Sequence, residues 1–125
     1  MMRATTPCEE RLITLLGASA RGPKRDGLFA LWLVVRAAEA TLPPEPVSGR
    51  NHRRRLQALG SRLATLALPA PLQRALVAAR QYLEPATPAA AAQVLVQLVA
   101  PAREVLGAEA GDAVAAAARA ARVHL

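Results

Sequence analysis

The sequence has almost no aromatic side chains: one phenylalanine, one tryptophan and one tyrosine among 125 residues. Because 53% of the residues are nevertheless hydrophobic, the core must be built from leucine, valine and alanine, which favours packed helices over a β-sheet. A chain of this length is the usual size of one domain. We therefore expect an all-α fold, a compact bundle of five or six helices that forms a single domain over residues 1–125.

Cysteine is equally scarce, since Cys8 stands alone, which excludes an intramolecular disulfide and a multi-cysteine metal site. No basic start followed by a long apolar run, typical of a signal peptide, is present. The most apolar stretch, residues 28–35, falls short of the roughly 20 residues that span a bilayer. No metal-ligand spacing or glycine-rich phosphate loop occurs. We expect a cytoplasmic protein with no membrane partner and no cofactor.

Acidic residues are missing between Glu45 and Glu84. Seven arginines lie in that interval: Arg50, Arg53, Arg54, Arg55, Arg62, Arg74 and Arg80. Without them, nine basic and nine acidic residues remain, so the whole net charge of +7 comes from this quarter of the chain. We call residues 50–80 the basic segment. Localised positive charge of this kind points to an anionic partner.

Proline and capping residues divide the chain into helices. Thr6 followed by Pro7 predicts the start of the first helix. Asp26 is a natural N-cap for the second, which we expect to run to about Leu42. Residues 43–49, with three prolines and a glycine, then predict a stiff connector and an internal hinge.

Similar signals divide the second half. The third helix is expected to begin near Ser48 or Asn51, and Pro71 to start a fourth. Thr87 followed by Pro88 predicts the fifth helix. Pro101 is expected to kink or restart it, and Gly107 and Gly111 to bracket a turn before a last helix from about Asp112 to Val123.

The second helix is apolar on two sides. One stripe at helical spacing is Leu31, Val35, Ala38 and Leu42, and the other is Phe29, Trp32, Arg36 and Glu39. Such a helix is either central to a bundle or shared with a partner. Phe29 and Trp32 are therefore either core residues or a protein interface, where tryptophan is enriched.

The third helix separates leucines from arginines. Its buried side is predicted to be Leu56, Leu59, Leu63 and Leu66, while Arg54, Arg55 and Arg62 share a flank with Ala58, Ser61 and Thr65. Arg53 points the other way. Small residues on the flank would let a phosphate backbone approach, and the hydroxyls could donate to it.

The start of this helix also lacks acidic residues. Cations near a helix N-terminus each cost about 0.3–1 kcal/mol, and Arg50, Arg53, Arg54 and Arg55 crowd this site. A bound phosphate would relieve that repulsion; alternatively, the side chains simply spread into water.

With no aromatic platform on the basic segment and no zinc-finger or RNA-recognition signature, we expect contact with the nucleic-acid backbone rather than reading of bases. The leading hypothesis is a non-catalytic subunit that binds RNA or DNA without sequence specificity, among other protein subunits or copies of itself. The alternative is a helical adaptor that binds only protein, through Phe29 and Trp32 or through an acidic partner at the arginines.

A small, basic, helical chain without a cofactor is similar in class to the small subunits of CRISPR effector complexes, which touch nucleic acid through arginine and lysine. It is also similar to the basic, oligomeric accessory bundles of diversity-generating retroelements. Both resemblances imply a non-catalytic role and carry over no individual residue.

Separately, Arg119 and His124 resemble the HEPN family, in which four residues lie between an arginine and a histidine. Ala120 replaces the polar residue that commonly follows the arginine in that family. This resemblance implies a third alternative, a metal-independent ribonuclease.

Overall fold

The structure is a computed structural model that describes residues 5–44 and 46–125. The described chain forms six helices in the order α1 (Pro7–Ala18), α2 (Pro23–Glu39), α3 (Gly49–Thr65), α4 (Ala70–Tyr82), α5 (Pro88–Leu106) and α6 (Ala108–Arg122). No strand occurs in this part of the chain. The helices pack into one bundle around a shared core, so the expected all-α fold is confirmed.

Helix α2 is the centre of the bundle, because it contacts each of the other five helices. The first predicted stripe is buried: Leu31, Val35, Ala38 and Leu42. On the same helix, a Cβ atom at Gly27 would lie 2.7 Å from Cδ2 of Leu106 and 3.0 Å from Cδ2 of Leu72. The missing side chain therefore lets α4 and α5 close onto α2.

The predicted caps at three helix starts are present. Thr6 accepts a hydrogen bond from the backbone N–H of Glu9 at 3.2 Å, and its hydroxyl donates to the buried carboxylate of Glu39 at 2.7 Å. The second bond ties the start of α1 to the end of α2. Ser48 and Thr87 cap α3 and α5 through their side chains in the same way.

The predicted boundaries of α2 are wrong at both ends. Pro23 occupies the first turn and Gly22 is the N-cap, with a φ of 150° that favours glycine. Asp26 lies one turn further in, where a carboxylate stabilises the positive end of the helix dipole. The helix ends at Glu39 rather than near Leu42.

The connector at residues 43–49 is fastened to α2. The backbone N–H of Val47 donates to the carbonyl of Ala40 at 2.9 Å, which folds the end of the connector back beside the helix that precedes it. Glu45, within the connector, lies outside the described residues. Ser48 is then the N-cap of α3, and Gly49 is its first residue.

Pro101 does not restart the helix, since a single α5 runs from Pro88 to Leu106. Proline removes one backbone hydrogen bond and costs about 3 kcal/mol in a helix interior. Helix α5 packs against α2, α4 and α6, and buries Leu95 and Leu98 completely or nearly so. Burial of this kind, at roughly 1.5–3 kcal/mol per large side chain, outweighs the defect.

The predicted start of α6 at Asp112 is also wrong. Gly107, with a φ of 105°, ends α5 and immediately precedes α6. Gly111 therefore lies inside the helix, where a Cβ atom would be 2.6 Å from Cβ and 3.1 Å from Cα of Arg103. Helices α5 and α6 form the most extensive contact in the bundle, and this glycine permits their close approach.

Helix α5 is long and apolar enough, at 19 residues and a mean hydropathy of 1.2, to cross a membrane by length and composition alone. The core helix of a bundle satisfies the same criterion, and α5 lies between three other helices in this fold. The expectation of no membrane partner rested on residues 28–35, whereas residues 88–106 are the longer apolar segment.

Two glycine-to-alanine substitutions are expected to have opposite effects. Gly111→Ala should lower the free energy of unfolding by about 1–3 kcal/mol, because the new methyl group forces α5 and α6 apart. Gly17→Ala, in α1, meets nothing within 4 Å and should raise it by about 0.5–1 kcal/mol. Urea unfolding followed by circular dichroism measures both. A gain in stability in Gly111→Ala would contradict the close contact between the helices.

Candidate nucleic-acid interface

A groove of about 480 Å³ lies between α2 and α3. It is lined by Phe29, Leu33 and Arg36 from α2, and by Asn51, Arg54, Arg55, Ala58, Leu59 and Arg62 from α3. Four of these nine residues are arginines and none carries a carboxylate. The structure therefore brings Phe29 and Arg36, from the second stripe of α2, and the three flank arginines of α3 to one surface, which we call the basic groove.

Helix α3 is held in this orientation from its opposite side. Within the described chain it packs only on α2 and α4. Three side chains bridge α3 and α4 by bonding to backbone carbonyls: His52 to Leu83 at 2.6 Å, Arg80 to Leu56 at 2.8 Å and Gln73 to Leu63 at 3.3 Å. Together with the buried Leu56, Leu59 and Leu63, these bonds fix the rotation of α3 and turn its arginine flank towards α2.

Two arginines of the basic groove lie over aromatic rings. The guanidinium carbon of Arg36 is 5.5 Å from the ring centroid of Trp32, and that of Arg62 is 5.6 Å from Phe29. The two rings are 5.9 Å apart. Such contacts contribute about 0.5–1 kcal/mol each at exposed sites and restrict the side chains. The N–H donors of a guanidinium lie in its own plane, so they stay available to an anion.

Three of the four groove arginines lack an ion pair with a described residue. Within the described residues, no salt bridge reaches Arg36, Arg54 or Arg62. The first turn of α3 likewise contains no acidic residue. The side chain of Arg53, in the second turn, extends back over the first turn. Its Nη1 atom lies 3.7 Å from the point where a Cβ atom on Gly49 would be. Arginines are thus concentrated near the start of α3, although only Arg50 lies in the first turn itself.

The seven arginines of the basic segment have different positions. Arg54, Arg55 and Arg62 line the basic groove, whereas Arg50 and Arg53 are exposed outside it. Arg74 lines a separate hollow on α4. Ser61 and Thr65, expected beside the flank arginines, are exposed but do not line the groove.

Arg80 has an internal role. Its side chain is only 27% exposed, donates to the carbonyl of Leu56 and lies 3.8 Å from Glu84. It also crosses α3 where Gly60 has no side chain, because a Cβ atom there would be 2.8 Å from Nε of Arg80. Its guanidinium is thus bound within the protein.

Sequence reasoning missed Arg36 as a member of the site, because it lies outside the basic segment. One signal was available: Arg36 follows Trp32 by four residues on the second stripe of α2. The same stripe connects Phe29 and Trp32, the predicted protein interface, to the arginines. Phe29 lines the basic groove, whereas Trp32 is half-buried and packs against the core.

Two residues whose side chains could take part in chemistry are buried elsewhere. His52 is 1% exposed and its Nε2 is bonded to Leu83, so it fastens α3 to α4 rather than facing a ligand. Burial, followed by the charge of Glu39, raises the pKa of the Cys8 thiol to about 12, which leaves it protonated and unreactive at neutral pH. Among the described residues no group of three histidine, cysteine or acidic side chains could hold a metal ion.

Three other hollows are lined by fewer arginines than the basic groove. A hollow of about 540 Å³ between α1 and α6 is lined by Glu10 and Glu109 as well as Arg11. Arg119 lines a hollow between α5 and α6, but His124 lies beyond the end of α6 and does not line it.

Comparisons of the chain with protein-family models, with curated proteins and with solved structures found no match. A functional conclusion must therefore come from the geometry and charge of the basic groove.

Two arginines on α4 are expected to differ in their effect on stability. Arg80→Met should lower the free energy of unfolding by about 1 kcal/mol, because it removes the hydrogen bond to Leu56. Arg74→Met, at an exposed position of the same helix, removes the same charge and should change it by less than about 0.5 kcal/mol. Urea midpoints of the two variants test this difference, and equal midpoints would contradict an internal role for Arg80.

Proposed function

We propose that this protein is a non-catalytic subunit that binds a nucleic-acid backbone, without sequence specificity, within a larger assembly. The supporting observation is that four arginines line one groove whose described residues include no carboxylate. Arginine forks bind phosphate with two parallel hydrogen bonds. The single cysteine suits a reducing compartment, and we place this activity in the cytoplasm.

The dimensions of the basic groove suit a polymer of phosphates. From Asn51 to Arg62, at roughly 1.5 Å per residue, it follows α3 for about 16 Å. One strand of a duplex carries a phosphate every ~3.4 Å along the helix axis, so several phosphates could lie beside the groove. Arg36 is held over the Trp32 ring, which reduces the side-chain entropy lost on binding.

The residues that line the groove do not favour reading of base sequence. Recognition of a base pair needs amide, guanidinium or carboxylate groups placed against base edges. Asn51 is the only amide side chain among the lining residues, while the arginines match phosphates. Binding should therefore depend on charge and salt far more than on sequence.

A second candidate function is a protein adaptor. Phe29, Leu33 and Leu59 form an apolar strip between the arginines, and an amphipathic helix with an acidic edge could lie in such a groove. This candidate predicts that the purified protein carries no nucleic acid, and that an acidic helical peptide rather than an oligonucleotide competes for the groove.

Removing two arginines from the basic groove should weaken nucleic-acid binding specifically. The double variant Arg54→Gln with Arg62→Gln is expected to bind a mixed-sequence oligonucleotide at least about tenfold more weakly at 0.1 M salt. The slope of log affinity against log salt should fall by roughly two, one for each phosphate that is no longer bound. Fluorescence anisotropy titrations at several salt concentrations provide both quantities.

The matched control is the double variant Arg53→Gln with Arg74→Gln. It lowers the net charge by the same amount but leaves the groove intact, so its affinity should change less than about threefold through long-range charge alone. Equal weakening by the two double variants would show that only net charge matters. No binding by the unaltered protein would reject the proposed function.

A further inference from the structure

The floor of the basic groove is apolar although its arginines are suited to phosphate. Phe29, Leu33, Ala58 and Leu59 lie among the arginines. A phosphate backbone cannot use this surface, because charged groups lose hydration against apolar side chains. A nucleobase can use it, since every base has a flat, weakly hydrated face that stacks on an aromatic ring.

Phe29 is placed to receive a base. It is half-buried and is the only aromatic residue that lines the groove. The ring centroid of Trp32 lies 5.9 Å from that of Phe29, and Trp32 packs against the core, so it supports the Phe29 ring. Arg62, over Phe29 at 5.6 Å, is exposed and can turn aside or stack on the incoming base.

The size of the groove distinguishes between forms of nucleic acid. A volume of about 480 Å³ falls within the range of about 300–1,000 Å³ that is typical of sites for small ligands. A duplex keeps its bases stacked inside and brings only sugars and phosphates to a crevice between two helices. A single strand can place one base on the apolar floor and its neighbouring phosphates against the arginines of the groove.

We infer that the basic groove takes single-stranded nucleic acid, with one base stacked on Phe29 and the flanking phosphates bound by Arg36, Arg54 and Arg62. This inference rests on the proposed function and adds the form of the nucleic acid. The lining arginines, with no carboxylate among the described lining residues, select an anionic polymer, and the apolar floor selects one whose bases are free. The sequence alone predicted no aromatic platform, because Phe29 lies on α2, far from the basic segment in the chain.

Three labelled probes of equal length test the inference by fluorescence anisotropy: a mixed-sequence single strand, the corresponding duplex, and a single strand with abasic sites throughout. Each is prepared as DNA, and the single strand and the duplex also as RNA. The unaltered protein is expected to bind a base-bearing single strand about tenfold more tightly than the duplex or the abasic strand. In either sugar series, such a preference supports the inference.

Substitution of Phe29 separates stacking from charge. Phe29→Leu should weaken binding of the base-bearing strand by about tenfold, within the effect of removing a stacking aromatic, and should leave duplex and abasic binding unchanged. Phe29→Tyr keeps the ring and should keep the affinity. Circular dichroism and the emission of Trp32, the single tryptophan, verify that both variants are folded.

The outcomes distinguish this inference from the proposed function. Equal affinity for all three probes, unaffected by Phe29→Leu but lowered by removal of Arg54 and Arg62, would overturn the single-strand inference and leave backbone binding in place. Loss of binding to every probe in a folded Phe29→Leu would also overturn it, because the ring would then be structural. No binding of any probe by the unaltered protein would reject both.

Discussion

The burial of α2 is the constraint on which the rest of the structure depends. With few aromatic residues, the core consists of small and medium-sized aliphatic side chains, and these give adequate burial only if helices approach closely. Helix α2 satisfies this requirement by contacting all five other helices, and Gly27 removes the side chain that would keep α4 and α5 away. The core occupies one face of α2, and Phe29 and Arg36 of its second stripe face α3.

The position of α3 places a basic surface beside α2. Helix α3 contacts only two neighbours in the described chain, and side-chain bonds from His52, Gln73 and Arg80 fasten it to α4. Its arginine flank therefore meets the second stripe of α2, where Phe29 and Trp32 lie under guanidinium groups. A cluster of positive charge is costly to hold together, and rings beneath two of its members offset part of that cost.

Much of the architecture follows from local signals in the sequence. Thr6 and Thr87 cap helices as expected, because a capping hydroxyl acts within three residues of its partner, and Ser48 rather than Asn51 caps α3. The local signal failed at Asp26, where a proline preceded by a glycine of positive φ starts the helix instead. At Pro101 the helix continues, since α5 packs against three other helices.

The basic groove could be predicted only in part from the sequence, because local signals do not show which helices pack together. Charge segregation and helical spacing placed Arg54, Arg55 and Arg62 together. They could not distinguish these from Arg80, whose guanidinium is bound to a carbonyl of another helix. Nor could they show that Arg36 and Phe29 complete the groove, because the packing of α2 against α3 depends on contacts between residues far apart in the chain.

The most direct test of the central claim is an NMR titration that follows the arginine Nε–Hε signals and the Trp32 indole as a single-stranded oligonucleotide is added. Direct binding in the basic groove predicts that the largest shifts occur at Arg36, Arg54 and Arg62, with a smaller change at Trp32. Arg74 and Arg119, on other surfaces, should remain nearly unchanged. Shifts that are centred on Arg74 or Arg119, or spread evenly over all arginines, would contradict the claim that this groove is the binding site.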